Sequence, residues 1–249
     1  MKNQIIGLAI ITFLFCTNFI LPQSAITVSG SADFVSRYVW RGILINNAPS
    51  IEPSLDFNYS GFSLGVWGSY SLSKIDKKDS EFGVSQEIDT WISYSYSLKN
   101  GIHISVLATD YYFPQNGIKF SNFNNYDNPA GAGAHTAELG LSFAGNKSFP
   151  LNLSGYVNIY NDKGHNAYFQ MDYSTTINNY NMNIFIGAAS GNKDNPVYYG
   201  TDKFDIINIG LRVQREIKIT DSFSLPLYVS YVFNPKAEIS YLIFGLSLQ

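Results

Sequence analysis

The sequence predicts an all-β protein, an antiparallel transmembrane β-barrel of about twelve strands. Three observations carry that prediction. Apolar and polar residues alternate with period two along most of the chain, every lysine after Lys2 lies in a turn, a loop or at a strand boundary, and the connections alternate between short and long. Composition narrows the field further. Only 14% of the 249 residues are charged, against roughly 25% in soluble domains. Aromatic residues make up 16%, yet mean hydropathy is only −0.03. The apolar residues are therefore dispersed among polar ones, which excludes a helical membrane protein. A formal charge of −3 argues against nucleic acid as a partner, because phosphates call for a basic surface.

The elements follow in chain order. Residues 1–25 read as a signal peptide, with Lys2 as the basic start, an apolar stretch from Ile5 to Phe15, and a small polar exit at Gln23, Ser24 and Ala25. The only cysteine, Cys16, lies inside it, so neither a disulfide framework nor a thiol nucleophile is expected in the exported domain, residues 26–249. Loss of Lys2 with that segment leaves 15 basic against 19 acidic residues, a formal −4. From 51 to 60, Ile51, Pro53, Leu55, Phe57 and Tyr59 alternate with Glu52, Ser54, Asp56, Asn58 and Ser60. After Ser60-Gly61 the parity continues in Phe62, Leu64, Val66 and Tyr70 against Ser63, Gly65, Trp67 and Ser69. Two one-faced strands joined by a tight turn make a hairpin.

The same reading places strands at 26–41, 51–60, 62–72, 86–98, 102–113, 136–144, 151–160, 166–177, 181–190, 204–217, 223–233 and 237–248. Their lengths suit a tilted crossing of a bilayer. Short turns at 60–61, 99–101, 145–150, 178–180 and 218–222 alternate with longer connections at 73–85, 114–135 and 191–203, although those at 161–165 and 234–236 are short for that side. Short periplasmic turns opposite long extracellular loops are the outer-membrane arrangement, and an even strand count puts both termini in the periplasm. A secreted soluble sandwich or barrel also alternates. Lysine placement separates the two, since a soluble sheet uses lysine on its wet faces, whereas a lysine on a lipid face costs about 2–4 kcal/mol at mid-bilayer. Tyr59, Phe62, Tyr96, Phe143 and Phe223 gather at the short turns, and Tyr38, Trp40, Tyr70 and Tyr112 at the opposite ends. They are read as two interfacial girdles.

Parity points Asp33, Glu52, Asp56, Glu87, Asp89, Glu138, Asp172 and Glu238 into the lumen, together with Arg37, Arg41 and Arg212, and with Trp67 and Trp91 on the same faces. These residues are the expected pore lining. An acidic excess near the long-loop mouth predicts a weak preference for cations. A structural ion-pair network that stiffens or plugs the lumen is the competing role for the same charges. His103, His135 and His165 sit in no nucleophile motif, so no catalysis is expected and an outer-membrane hydrolase is a distant alternative. Asn192-Lys193-Asp194-Asn195 and Tyr126-Asp127-Asn128 lack metal-loop spacing, and Gly131-Ala132-Gly133 follows no strand-to-helix pattern. No metal and no cofactor are expected.

Ser36-Arg37-Tyr38-Val39-Trp40-Arg41-Gly42 resembles the opening S-x-Y-x-x-R-G motif of the TorF-like porin family of bacterial outer-membrane proteins. Further matches follow in order at Gly61-Phe62-Ser63-Leu64-Gly65-Val66-Trp67-Gly68, Glu87-Ile88-Asp89, Tyr111-Tyr112-Phe113-Pro114 and Glu138-Leu139-Gly140. The chain departs from the pattern at Ser93-Tyr94, where the family commonly has Gly-Tyr, and at its end, Leu246-Ser247-Leu248-Gln249, where many such barrels have Phe. The resemblance implies a passive channel in the bacterial outer membrane. Its partners would be outer-membrane lipid, the outer-membrane assembly machinery and small polar solutes. A non-conducting scaffold or surface-binding barrel, acting through loops 73–85 and 114–135, is the alternative.

Overall fold

The computed structural model describes residues 25–73, 86–193, 198–221 and 223–248. The expected signal peptide, apart from Ala25, and most of the 73–85 loop lie outside the described residues. Twelve strands close into one antiparallel barrel: β1 (Thr27–Val35), β4 (Ser50–Tyr59), β5 (Phe62–Ser71), β6 (Gln86–Ser97), β7 (His103–Tyr112), β8 (His135–Asn146), β9 (Phe149–Tyr160), β10 (Ala167–Ile177), β11 (Tyr180–Ala189), β12 (Asp205–Lys218), β13 (Ser224–Asn234) and β14 (Ile239–Leu248). Two further strands, β2 (Tyr38–Trp40) and β3 (Ile43–Asn46), pair only with each other. Each wall strand pairs with its sequence neighbour until the seam, where β1 meets β14. That seam aligns four residue pairs, from Ala32 opposite Leu248 to Val35 opposite Gly245, whereas β1 aligns nine with β4.

Alternation decides which face of each strand is which, because successive side chains point to opposite sides. Outward cross-strand pairs are apolar and exposed: Leu55 opposite Val66, Leu64 opposite Ile92, and Val106 opposite Leu141. Inward pairs are small and polar. Ser31 and Ser54 hydroxyls meet at 2.8 Å, Ser95 and Ser105 at 2.7 Å. This inverts the arrangement of a soluble barrel, whose apolar faces point inward. Aromatics at the short turns fit the outward set, with Tyr59, Phe62, Tyr96 and Phe223 exposed. At the turn Ser60-Gly61 both residues have positive φ, 49° and 87°, as a two-residue hairpin turn requires.

Three expectations need correction. The first strand does not run from 26 to 41. It stops at Val35, the chain bends at Ser36-Arg37, and β2 and β3 form a separate hairpin. Tyr38 and Trp40 consequently belong to no girdle, packing instead against Trp67, Tyr111 and Tyr199. The last strand begins at Ile239, so Glu238 sits in the preceding turn at φ 57°, exposed, rather than on an inward strand face.

Candidate functional site

The hairpin of β2 and β3 points into the barrel from the end that carries the long connections. Its turn is Arg41-Gly42, with φ of 50° and 82°. Gly42 is required twice over, by that φ and by proximity, since a Cβ there would lie 2.0 Å from the Ile207 carbonyl oxygen. Asn234 Nδ2 donates to the Gly42 carbonyl at 3.1 Å. Ile43 and Ile45 bury against Tyr168, Ala189, Tyr199 and Ile207. Val39 and Leu44 cover a second cluster of Val35, Tyr228, Val232, Tyr241 and Ile243. At the base, Asn46 Nδ2 donates to Ser50 Oγ at 3.0 Å, and Asn46 Oδ1 accepts from the Ala48 amide at 2.7 Å. The hairpin is thus packed on both faces and closed at both ends.

Arg41 fixes its tip. Nη1 donates to Glu138 Oε2 at 2.6 Å and Nη2 to Oε1 at 2.9 Å, a forked pair on a carboxylate that is 1% exposed. Nη1 also donates to the Tyr199 hydroxyl at 2.6 Å, and the Tyr111 hydroxyl donates to Glu138 Oε1 at 2.9 Å. The guanidinium lies over the rings of Trp40, Tyr156 and Tyr168 at 4.4, 4.3 and 4.7 Å, positions that attract a cation to the ring faces. Burial pushes the Tyr198 and Tyr199 hydroxyls of the β11–β12 connection above the usual phenol range, so both stay protonated at neutral pH.

The remaining acids share the lumen without comparable pairing. Asp33 stands directly opposite Glu52 across β1 and β4. Glu87 and Asp89 are 4% and 9% exposed. Glu52 Oε1, Glu87 Oε2 and Asp89 Oδ1 are buried without a hydrogen-bond partner. Arg212 Nε donates to Ser230 Oγ at 2.9 Å, and its guanidinium lies over Tyr228 at 4.3 Å. Asp56 accepts from Ser63 Oγ at 3.5 Å, while Trp91 lies so close over Gly65 that a Cβ there would sit 2.2 Å from its ring. Asp172 accepts from Gln170 Nε2 at 3.0 and 3.1 Å. Arg37 makes no ion pair among the described residues, and its Nε is buried without a partner.

Open space runs along the β10 to β13 side. A cavity of about 360 Å³ reaches from Val39, Arg41 and Gly42 of the hairpin to Asp172 and Arg212. A second, of about 250 Å³, adjoins it at Asn183 and Arg212 and extends to Thr176 and Asn181, beside the short turn 178–179. The second is lined mostly by amides and hydroxyls, whereas the first mixes Gln170, Asn183, Asn208 and Ser230 with charged and apolar groups.

Each histidine has a local partner. His135 Nε2 donates to the Phe120 carbonyl at 2.6 Å and Nδ1 lies 2.7 Å from Asp110 Oδ2. Its ring stacks on Phe123 at 4.2 Å and Tyr112 at 5.4 Å. Asp110 pairs across strands with exposed Thr90, so this cluster sits on the outer face, where the 113–134 connection folds back over the rim. His165 Nδ1 meets the Asn158 carbonyl at 2.9 Å. His103 Nδ1 meets Ser97 Oγ at 2.8 Å, a Ser–His contact in which His103 makes no ion pair among the described residues. Also among the described residues, no group of three or more His, Cys, Asp or Glu is placed to hold a metal ion.

Sequence parity identified the wall carboxylates but missed the rings of Tyr111, Tyr156, Tyr168 and Tyr199 around Arg41. Residues 20–226 match the model of a family described as "Bacterial protein of unknown function (Gcw_chp)". None of the curated proteins matches the chain.

Proposed function

The chain belongs to that bacterial Gcw_chp family of unknown function, and from its barrel we propose a porin-like passive channel of the bacterial outer membrane, admitting small polar solutes with a weak preference for cations. The observation that carries the reading is the pairing of an exposed apolar outer face with a polar lumen in one closed sheet. A soluble protein rarely leaves such a continuous apolar surface in water, whereas lipid requires it and closure joins the two edge strands of the sheet. The adjoining cavities beneath the hairpin supply the water path, and the hairpin forms its constriction. The resemblance to TorF-like porins agrees with this reading, which assigns the protein no catalysis and no cofactor. A signal peptide over 1–25 and insertion by the outer-membrane assembly machinery belong to the same proposal.

The cation preference rests on charge. Arg41 is committed to Glu138, which leaves Arg37 and Arg212 as the lumen cations without an ion pair among the described residues, against Asp33, Glu52, Glu87 and Asp89. Fixed negative charge in a narrow polar passage concentrates cations, within a screening length of about 10 Å at 0.1 M salt. Reconstitution in a planar bilayer under a potassium chloride gradient tests it. The expected result is a small conductance with a cation-selective reversal potential, reduced in Glu87→Gln/Asp89→Asn and enlarged in Arg41→Ala. An anion preference would overturn the charge argument.

A second reading, a non-conducting scaffold or surface-binding barrel, draws on the hairpin itself, which fills the lumen at the long-connection end and is pinned there by Arg41. Absence of conductance in both the native chain and Arg41→Ala would favour it.

A further inference from the structure

We propose that the long-connection end of the lumen holds a binding pocket for a small organic cation, a primary amine or quaternary ammonium, walled by Trp40, Tyr111, Phe113 and Tyr198 and charge-matched by Glu87. The pocket lies between the inward hairpin and the β6 to β8 wall, opposite the cavities assigned to the water path, and has a volume of about 170 Å³. Asn116 is exposed at its rim, whereas Glu87 is 4% exposed. Its walls are rings set at angles to one another: Trp40 and Tyr111 centroids lie 6.0 Å apart, Trp40 and Tyr198 6.4 Å apart, both edge to face.

Glu87 Oε2 is buried with no hydrogen-bond partner. A carboxylate oxygen buried with no hydrogen bond is costly; Tyr38 and Asp89 bond the rest of this carboxyl, and the nearby guanidinium of Arg41 is already held in a fork by Glu138. An anion would be repelled by this site, and a neutral solute would leave the carboxylate unmatched. A bare divalent ion needs several oxygen ligands, and no carboxylate or histidine cluster of that kind occurs among the described residues. Aromatic walls beside a buried carboxylate oxygen are instead the chemistry that recognises an ammonium group with an apolar coat. Sites for drug-sized ligands span roughly 300–1,000 Å³, so the occupant here is smaller than those.

The inference requires no ion flow, and its test is independent of the channel reading. The detergent-solubilised full chain is titrated with tetramethylammonium chloride or methylammonium chloride, against sodium chloride at equal ionic strength, while tryptophan fluorescence is followed. Trp67→Phe/Trp91→Phe isolates Trp40 as the reporter. The expected result is a saturable change with an organic cation and none with sodium, weakened at least tenfold in Glu87→Gln and in Phe113→Leu. The more tightly bound of the two salts identifies the class. If Glu87→Gln fails to show the heat-dependent gel shift of a folded barrel, Phe113→Leu decides. A response identical to that of sodium, or an affinity unchanged in a folded variant, overturns the proposal.

Discussion

Arg41 and Glu138 stand 97 residues apart in the chain and meet in a two-pronged pair inside the barrel, Nη1 to Oε2 at 2.6 Å and Nη2 to Oε1 at 2.9 Å. The first comes from the tip of the inserted hairpin and the second from the wall strand β8. Because Glu138 is 1% exposed at its side chain, the pair couples the position of the hairpin to the charge state of the lumen.

Removing one partner should therefore cost more than removing both. Arg41→Ala leaves Glu138 buried and unpaired, a change that typically destabilises by about 3–5 kcal/mol. Arg41→Met/Glu138→Leu should recover much of that loss, because replacing a buried pair with apolar residues of similar volume is often neutral. Urea unfolding of the three proteins in lipid vesicles, followed by tyrosine and tryptophan fluorescence, compares them. A double variant no more stable than Arg41→Ala would show that the pair does not act as a unit.

Gly42→Ala should displace the hairpin even though it adds only a methyl group. The new Cβ meets the Ile207 carbonyl oxygen at 2.0 Å, and the positive φ alone costs on the order of 1–3 kcal/mol for a non-glycine residue. The temperature at which the folded band converts to the unfolded one on gels should fall. Gly131→Ala, in the 113–134 connection with no atom within 4 Å of its added Cβ, is the comparison at another positive-φ glycine, and its transition should shift less.

Neighbouring residues on β8 should respond oppositely to the same charge. Leu141 faces outward at 58% exposure and Ser142 faces inward, opposite Ser105 and Ser154. Leu141→Arg should destabilise the vesicle-inserted protein by about 2–4 kcal/mol if that side contacts lipid near the bilayer midplane. Ser142→Arg enters the polar lumen and should cost less. Equal tolerance of both would remove the argument for a lipid-facing surface.

His135→Ala should loosen the 113–134 connection without opening the barrel. Two hydrogen bonds and the stack on Phe123 disappear together, a loss of about 2 kcal/mol at this local site. Limited proteolysis of the variant in detergent should cut within 117–134 faster than in the native protein, while the gel shift of the folded barrel persists.

The wall was legible in the sequence because a strand with one apolar face announces itself by alternation, and Ile51 to Ser60 does so without a slip. The hairpin at Ser60-Gly61 followed from the same parity. The inserted hairpin was not legible in that way. Asp33, Arg37 and Arg41 keep a common parity, so the bend at Ser36-Arg37 reads as continuous strand. A local cue was present: Arg41-Gly42 lies between Tyr38-Val39-Trp40 and Ile43-Leu44-Ile45, the pattern of a two-residue turn between short strands. The aromatic ring set around Arg41 left no comparable cue, since Tyr111, Tyr156, Tyr168 and Tyr199 come together only through closure of the sheet. Glu238 was misplaced for a smaller reason, a strand start set two residues early.

The four-pair seam between β1 and β14 gives assembly a direction. Its members lie at opposite ends of the chain, so the ring cannot shut until the last strand has been made, by which time residues 36–49 have long been available to fold. The tip of the hairpin contacts β8, β9, β10 and β12, so it can reach its final seat only once those strands are in place. The first strand thus carries both the shortest joint of the wall, four pairs with β14, and the chain that fills the lumen.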